Sequence, residues 1–124
     1  MTERTDIPPA LAPKLQHSWS WCLPPGHGWT DLVVRTLETL DRRGTKYSIA
    51  QVKQKFGGLR RYLDFGDGAS WRDRAFVEAV EHLCWGVCEE CGTTKNVDQR
   101  TMRNSWITTL CEGCWNGRAV HKVR

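Results

Sequence analysis

The first clear pattern of apolar and polar positions is that of an amphipathic helix beginning near residue 30. Thr30 or Asp31 can cap its start, and Gly44 follows its expected end. The inward face comprises Leu32, Val33, Thr36, Leu37 and Leu40. Arg42 and Arg43 suit the negative end of the helix dipole. We therefore expect a helix that stops at a glycine.

A second helical pattern runs from Ser70 to Cys84. Ser70 and Asp73 have the spacing of a capping box, which stabilises a helix start. Its inward stripe is predicted to comprise Trp71, Ala75, Ala79, Val80 and Leu83. The helix leads directly into a cysteine-rich segment.

Between the helices, alternating side chains predict a β-hairpin from Ser48 to Phe65. Gly57 and Gly58 tolerate the positive φ angles of a two-residue turn, so we place the turn there. The inward face then carries Ala50, Val52, Phe56, Leu59, Leu63 and Phe65. The outward face carries Gln51, Lys53, Lys55, Arg60, Tyr62 and Asp64.

The outward face of this hairpin has an unusual charge pattern. The predicted turn sets Lys55 opposite Arg60, and a like-charge pair destabilises a hairpin unless an anion offsets it. Basic residues interleaved with Tyr62 suit contacts to phosphates and bases. The alternative is an ordinary solvated face.

The N-terminal part of the chain is rich in proline and polar residues. We expect residues 1–15 to form a disordered arm and the alternation from His17 to Trp21 to form a short edge strand. Residues 16–84 then make up an α+β subdomain, and residues 85–124 a metal-binding subdomain.

Two CxxC motifs dominate the C-terminal third. They are separated by nineteen residues and supply Cys88, Cys91, Cys111 and Cys114. Two such turns can direct four sulfurs at one point, which is the ligand set of a single structural Zn²⁺. Four thiolates fill all four tetrahedral positions and leave none for water or substrate. Two redox dithiols or unrelated buried cysteines are the alternatives.

The segments around the cysteines predict a treble-clef or zinc-ribbon order. Strands are expected at Asn96–Thr101 and Ser105–Leu110, followed by a helix from Trp115 to His121. The predicted fold class is therefore α+β. An N-terminal helix, a β-hairpin and a second helix precede a C-terminal zinc subdomain with four cysteine ligands.

The other two cysteines, Cys22 and Cys84, are expected to be small buried hydrophobes. A second metal site of Cys22 with His17 or His27 is the alternative. The chain lacks an apolar run of about 20 residues and the layout of a signal peptide at its start. We expect a cytoplasmic protein with reduced thiols.

The net charge of +4 is unevenly distributed along the sequence. Residues 35–61 hold eight basic and two acidic side chains, whereas residues 64–90 hold seven acidic and two basic ones. The C-terminal end is basic again, with Arg100, Arg103, Arg118, Lys122 and Arg124. Seven tryptophans supply core residues or interface anchors. The alternation fits solvated faces, or basic stripes that meet phosphates or an acidic partner.

Three motifs together resemble a group of small uncharacterised phage and bacterial proteins. They are Gly28-Trp29, the block Lys55-Phe56-Gly57-Gly58-Leu59-Arg60, and Trp106-Ile107 ahead of Leu110-Cys111. The resemblance covers most of the chain. It implies a zinc-bearing fold and a mobile-element origin, and it implies no mechanism.

A second resemblance, confined to the cysteine-rich part, is to the treble clef of HNH-type nucleases. Val97-Asp98-Gln99 and Leu110-Cys111 through Trp115-Asn116 follow the outline of that motif. Gln99 and Trp115 stand where its two histidines would be. Neither side chain can act as a general base near neutral pH. The resemblance thus implies a relative without nuclease chemistry.

The sequence as a whole favours a non-enzymatic, zinc-stabilised binding protein. The candidate nucleic-acid contacts are Lys53, Lys55, Arg60, Tyr62, Arg100, Arg103, Arg118 and Lys122. The alternative is an inhibitor or adaptor that acts on a host or defence protein, favoured by the tryptophans and the acidic segment. We expect no enzyme activity, because no catalytic base or open metal position is evident.

Overall fold

The computed structural model describes residues 7, 9, 11–66 and 70–118 of the chain. Its fold is α+β, as predicted, and within these residues each of two antiparallel sheets is a simple hairpin. The elements are, in chain order, helix α1 (Thr30–Arg42), strands β1 (Ser48–Lys55) and β2 (Gly58–Asp64), helix α2 (Trp71–Leu83), strands β3 (Val97–Thr101) and β4 (Ile107–Cys111), and helix α3 (Glu112–Asn116). Single 3-10 turns lie at Ala12–Lys14, Ser18–Ser20 and Cys84–Gly86.

Two clusters of buried side chains hold these elements together. The larger cluster joins α1, the β1–β2 hairpin and α2, with Trp21, Trp29, Val33, Leu37, Leu40, Ile49, Val52, Leu59, Val77 and Cys84 among its members. The smaller one surrounds Cys88, Leu110 and Cys111. The boundary between subdomains at residue 84 stays a prediction.

The C-terminal end of α1 is as predicted from the sequence, whereas its N-terminal cap is not. Gly44, with φ of +74°, ends the helix. The Thr45 N–H donates to the Leu40 carbonyl and the Gly44 N–H to that of Asp41, both at 3.0 Å, which is a Schellman motif. The start has no side-chain cap, so the predicted capping role of Thr30 or Asp31 is wrong.

The turn of the β1–β2 hairpin lies one residue earlier than predicted. Phe56 and Gly57 occupy it with φ of 53° and 79°, as a type I′ turn requires. Lys55 consequently pairs with Gly58, and Arg60 lies opposite Lys53 instead of Lys55. The predicted pairs of this hairpin are therefore wrong.

The two faces of the hairpin nevertheless remain largely as predicted. From Gln51 to Lys55 the shift moves each pairing by two residues. Side chains alternate with a period of two, so the inward and outward positions of this stretch are conserved. A bulge at Ala50 brings Ile49 rather than Ala50 into the core. Phe56, predicted to point inward, is 68% exposed at the turn.

The start of α2 is as predicted, but its orientation is not. The Ser70 hydroxyl accepts the Asp73 N–H at 3.3 Å and caps the helix. Most of the predicted inward stripe is exposed instead: Trp71, Ala75, Ala79 and Leu83. Val77 is the buried residue of this helix, and its carbonyl accepts the side-chain Nη2 of the buried Arg61 at 2.6 Å. The contact with Arg61 places the Val77 side of α2 against the hairpin, so the apolar stripe of the helix faces solvent.

Both edges of the two-stranded hairpin are covered. Along β1, the N–H groups of Gln16 and Cys22 donate to the carbonyls of Ile49 and Val52, each at 2.9 Å. Along β2, Leu59 N–H donates to Cys84 Sγ at 3.2 Å, and Arg61 N–H donates to Glu81 Oε1 at 3.1 Å. Covered edges cannot pair with another chain.

The predicted edge strand from His17 to Trp21 is wrong, because Ser18–Ser20 forms a 3-10 turn. Leu15 and Trp21 make isolated parallel bridges to Ile49 and Val52. Leu15 and Trp21 are six residues apart, whereas their partners Ile49 and Val52 are three residues apart. The additional residues of the N-terminal segment form the 3-10 turn at Ser18–Ser20.

The predicted disordered arm does not extend through residues 11–15. Leu11 is fully buried, Ala12–Lys14 forms a 3-10 turn, and Leu15 pairs with β1. The rest of the predicted arm lies almost wholly outside the described residues.

Candidate metal centre

Four cysteine sulfurs converge at the C-terminal end of the fold. Cys88 and Cys91 lie in the turn after the 3-10 segment that follows α2, Cys111 ends β4, and Cys114 lies in α3. Their Sγ atoms all lie within 4.8 Å of one another. The two CxxC motifs form one cluster, which contradicts the alternative of unrelated buried cysteines.

The geometry of this cluster fits a tetrahedral metal ion. Sulfurs bound at about 2.3 Å to a tetrahedral Zn²⁺ lie about 3.8 Å apart. The Sγ atoms of Cys91 and Cys111 are 3.8 Å apart. In each motif the second cysteine's N–H points at the first sulfur, at 3.5 Å for Cys88 and 3.4 Å for Cys111. Such bonds stabilise thiolates, so the site has the character of a structural metal centre.

The thiols of the cluster differ in acidity. Burial alone would raise the pKa of Cys88, but hydrogen bonds from the backbones of Cys111, Cys91 and Glu90 lower this pKa to about 7. The pKa of Cys114 is raised by burial and by the neighbouring thiols. One sulfur therefore ionises readily, and a bound cation would favour ionisation of all four.

A buried carboxylate, Glu89, lies between the first two ligands and joins the metal centre to the rest of the fold. One oxygen, Oε2, accepts the Thr109 N–H at 2.6 Å, the Thr108 hydroxyl at 3.0 Å and Gln54 Nε2 at 3.3 Å. The other, Oε1, lies 3.2 Å from His27 Nε2. Burial opposes its ionisation, but these hydrogen bonds outweigh burial and lower the pKa of Glu89.

The geometry also fixes the tautomer of His27. Its Nδ1 accepts the Trp29 N–H at 3.0 Å, so the proton of the neutral ring lies on Nε2 and is donated to Glu89. The histidine is thus a positioned donor in a satisfied network. Both ring nitrogens of His27 are therefore engaged, which leaves neither for a metal site with Cys22. Among the described residues, the group of three or more side chains placed to hold a metal ion is Cys88, Cys91, Cys111 and Cys114, and a site of Cys22 with His17 stays a prediction.

The backbone approaches closely at this junction. Gly28 N–H donates to the Glu89 carbonyl, and a Cβ at Gly28 would collide with the Cys88 carbonyl. The Trp29 indole N–H donates to the Val87 carbonyl at 2.8 Å. The Gly28-Trp29 pair noted in the sequence therefore has a structural role beside the cysteines.

The tip of the first hairpin docks on the second hairpin. Thr109 Oγ1 donates to the Gly57 carbonyl at 2.6 Å, and a Cβ at Gly57 would lie 2.8 Å from Ile107 Cγ2. Gln54 Nε2 also donates to the Ile107 carbonyl at 2.8 Å. These contacts explain why Gly57 is used within the turn, since no larger residue fits against β4.

The predicted binding residues of the hairpin lie together on one exposed surface. Lys53, Lys55, Arg60 and Tyr62 all belong to the outward side of β1 and β2, which we call the basic face. Lys53 Nζ lies 5.7 Å from the centre of the Tyr62 ring, and the Tyr62 side chain is 46% exposed.

The predicted basic residues of the C-terminal part have different surroundings. Arg118 pairs with Glu90, with Nη2 2.7 Å from Oε2. Arg100 donates through Nε to the Leu110 carbonyl at 3.0 Å and stacks over Trp115 at 5.6 Å. Arg103 is exposed in the turn between β3 and β4. Lys122 and Arg124 lie outside the described residues.

The C-terminal elements begin at other residues than predicted. Strand β3 starts at Val97, β4 starts at Ile107, and the helix α3 spans Glu112–Asn116 instead of Trp115 to His121. The helix begins within the second CxxC motif because Cys111 Sγ accepts the Cys114 N–H and caps it. Residues 119–121 of the predicted helix are outside the described part.

The two unassigned cysteines behave differently from each other. Cys84 is buried, as predicted, and desolvation raises the pKa of its thiol. Cys22 is exposed, so its predicted burial is wrong. Its N–H pairs with the edge of β1, which holds the backbone there while the side chain faces outward near Gln51.

Comparison of the chain with known protein families, with curated proteins and with solved structures found no match. In the part of the chain that the structure describes, every helix is too short or too polar to cross a bilayer. The surfaces themselves must therefore support any functional proposal.

Proposed function

We propose that this protein is a non-enzymatic binding protein, stabilised by one structural Zn²⁺, that binds nucleic acid through the basic face. The observation that supports this most directly is that Lys53, Lys55 and Arg60 lie on the same outward side of one sheet as the exposed Tyr62. A cytoplasmic location and a phage or mobile-element origin belong to the same proposal. So does the absence of catalysis.

Across the hairpin, no acid lies directly opposite a basic residue of the basic face, although Glu81 of α2 is close enough to attract Arg60. Arg60 lies directly opposite Lys53, and Lys55 lies opposite Gly58. Cations placed side by side repel each other, which an anionic ligand relieves. Arg118 and Arg100, in contrast, each have an acidic or carbonyl partner. The basic face is therefore the stronger candidate for phosphate contacts, with Arg103 as an additional one.

A salt titration tests this proposal. Labelled single-stranded and duplex DNA and RNA should bind at low salt, with affinity falling steeply as salt rises. Each of Lys53→Ala, Lys55→Ala and Arg60→Ala should reduce the log–log slope by about 0.7 to 0.9 for each phosphate that is no longer neutralised. Arg42→Ala, an exposed arginine of α1, is the matched control and should leave the slope unchanged. Absence of binding to all four ligands would refute the proposal.

A protein-directed inhibitor or adaptor is the second candidate, supported by the exposed stripe of α2. Trp71 is 72% exposed and Leu83 is 58% exposed, and Ala75 and Ala79 lie between them. Exposed aromatic anchors with small neighbours suit contact with a helix of a partner protein. A partner captured from bacterial lysate should be lost with Trp71→Glu and retained with Trp19→Glu, since Trp19 is comparably exposed at 59%.

The resemblance to HNH nucleases supports at most a chemically inactive relative. Gln99 is exposed on β3, and Trp115 packs beside the cysteine cluster and beneath Arg100. These contacts account for the indole as a packing residue.

A further inference from the structure

We propose that the ligand of the basic face is a single strand of DNA or RNA, whose bases stack on Phe56 and Tyr62. This inference rests on the proposed function and specifies its substrate class. It starts from Phe56, because this aromatic side chain belongs neither to the hydrophobic core nor to the metal centre.

Phe56 occupies a position that is unfavourable in two respects. Its φ angle of 53° is in the left-handed region, where a bulky side chain is strained and asparagine or glycine is preferred. Its side chain is also 68% exposed, so the strain is not offset by burial of the ring. Strain of this kind is concentrated at functional sites. The ring is displayed at the tip of the hairpin, at the end of the basic face.

Phe56 and Tyr62 each have a cation beside the aromatic ring. Lys55 Nζ lies 5.8 Å from the centre of the Phe56 ring, and Lys53 Nζ lies 5.7 Å from that of Tyr62. A base stacked on either ring would bring its own phosphate within reach of the adjacent ammonium. Alternating rings and cations are the usual features of surfaces that bind single strands.

Trp85 covers the strand next to the first of these pairs, where Gly58 is buried. Gly58 lies opposite Lys55, and a Cβ there would lie 3.3 Å from the indole Nε1 of Trp85. Trp85 is 43% exposed and presents a third ring beside the same surface. Bases within a duplex are stacked on each other and hide their faces, whereas unstacked bases of a single strand can reach such rings.

The test compares binding of oligo(dU), oligo(rU) and a DNA duplex of equal length to the intact, metal-loaded chain. Both single strands should bind more tightly than the duplex, and the tighter of the two identifies the sugar that the natural ligand carries. Phe56→Asn should weaken single-strand binding about 5- to 150-fold, the range for loss of one stacked base, with an unchanged salt slope.

Melting of Phe56→Asn separates weaker binding from misfolding. Asparagine suits the left-handed position, so the variant should melt at the same or a higher temperature than the natural chain. Tyr62→Leu should weaken binding in the same way, and Tyr62→Phe should retain it because the ring remains.

Three results would overturn the inference while leaving nucleic-acid binding intact, and the first two concern the oligonucleotides alone. They are equal or tighter binding of the duplex, and unchanged single-strand affinity in both Phe56→Asn and Tyr62→Leu. Loss of a protein partner with Phe56→Asn, without any change in oligonucleotide affinity, would assign the rings to a protein contact and overturn it also. Failure of every oligonucleotide to bind would instead refute the proposed function itself.

Discussion

Among individual residues, Glu89 connects more parts of the chain than any local pattern indicates. Its carboxylate receives hydrogen bonds from Thr108, Thr109 and Gln54 and faces His27. In the sequence, Glu89 is one of two acidic residues between Cys88 and Cys91. A side chain in that position would ordinarily be expected to face solvent. Its burial depends on partners up to 62 residues away, so no local signal could have identified it.

Replacing Glu89 with alanine should destabilise the fold by about 3 kcal/mol or more, because several buried donors lose their acceptor. Chemical denaturation of the metal-loaded protein measures the change. Glu90→Ala is the matched control: this neighbour is 47% exposed and pairs with Arg118 at the surface, so its removal should alter stability by less than about 1 kcal/mol. Similar values for both variants would show that the Glu89 network contributes little.

Among the elements, the β1–β2 hairpin shows where sequence patterns succeed and where they fail. Alternation defined both strands and the outward position of the basic residues, because it depends on the two-residue period of a strand. The turn was misplaced because the sequence favours glycine at both turn positions, whereas Phe56 occupies the first one with φ of 53°. Gly57 then takes the second position, where it fits against Ile107 and Thr109.

The prediction for the second helix failed for a related reason. Its apolar stripe from Trp71 to Leu83 has helical spacing. The spacing predicts a helix, but it does not indicate which element, if any, packs against the stripe. Arg61 and Glu81 determine which side of α2 faces the hairpin, and buried charged contacts are invisible to a hydrophobic pattern. The convergence of the four cysteines, by contrast, was fully predictable, since their spacing is itself the constraint.

The contribution of hairpin-tip docking to the free energy of unfolding can be measured by comparing substitutions at two glycines. Gly57 and Gly44 both have positive φ, at 79° and 74°, but an added Cβ meets Ile107 at 2.8 Å in the first and nothing within 4 Å in the second. Gly44→Ala should cost about 1 kcal/mol through backbone strain alone. Gly57→Ala should cost about 1 to 3 kcal/mol more, through crowding. Equal losses of unfolding free energy would show that the tip does not depend on this contact.

For the molecule as a whole, the metal centre and the first hairpin are mechanically connected. Glu89 directly follows the candidate ligand Cys88, and its carboxylate accepts Gln54 of β1. Thr109 lies two residues before Cys111 and binds the Gly57 carbonyl at the turn. The position of the hairpin tip therefore depends on an ordered cysteine cluster. Loss of the metal should affect both parts of the chain.

Metal removal tests this connection. The natural chain should contain one Zn²⁺ per molecule by atomic spectrometry, and a strong chelator should lower its melting temperature and unfold the C-terminal third. Free Zn²⁺ at 100 times its Kd should restore about 2.7 kcal/mol of stability. Cys114→Ser should abolish tight binding of the metal.

Cys22→Ser is the control for that experiment, because Cys22 is exposed and separate from the cluster. It should leave both the stoichiometry and the melting temperature unchanged. A chain that keeps its melting temperature after complete removal of the metal would contradict the structural role of the ion.

The contact between the hairpin tip and β4 also sets an order of events during synthesis. Gln54 and Gly57 bind Ile107 and Thr109, which follow them by 53 and 52 positions. At usual elongation rates the ribosome needs about 3 to 10 s to make that intervening stretch. The nascent hairpin must wait for that interval with its tip uncovered. Docking of the tip and assembly of the cysteine cluster therefore come late in maturation. A chain in which the cluster does not become ordered should keep a formed first hairpin with nothing ordered to dock against.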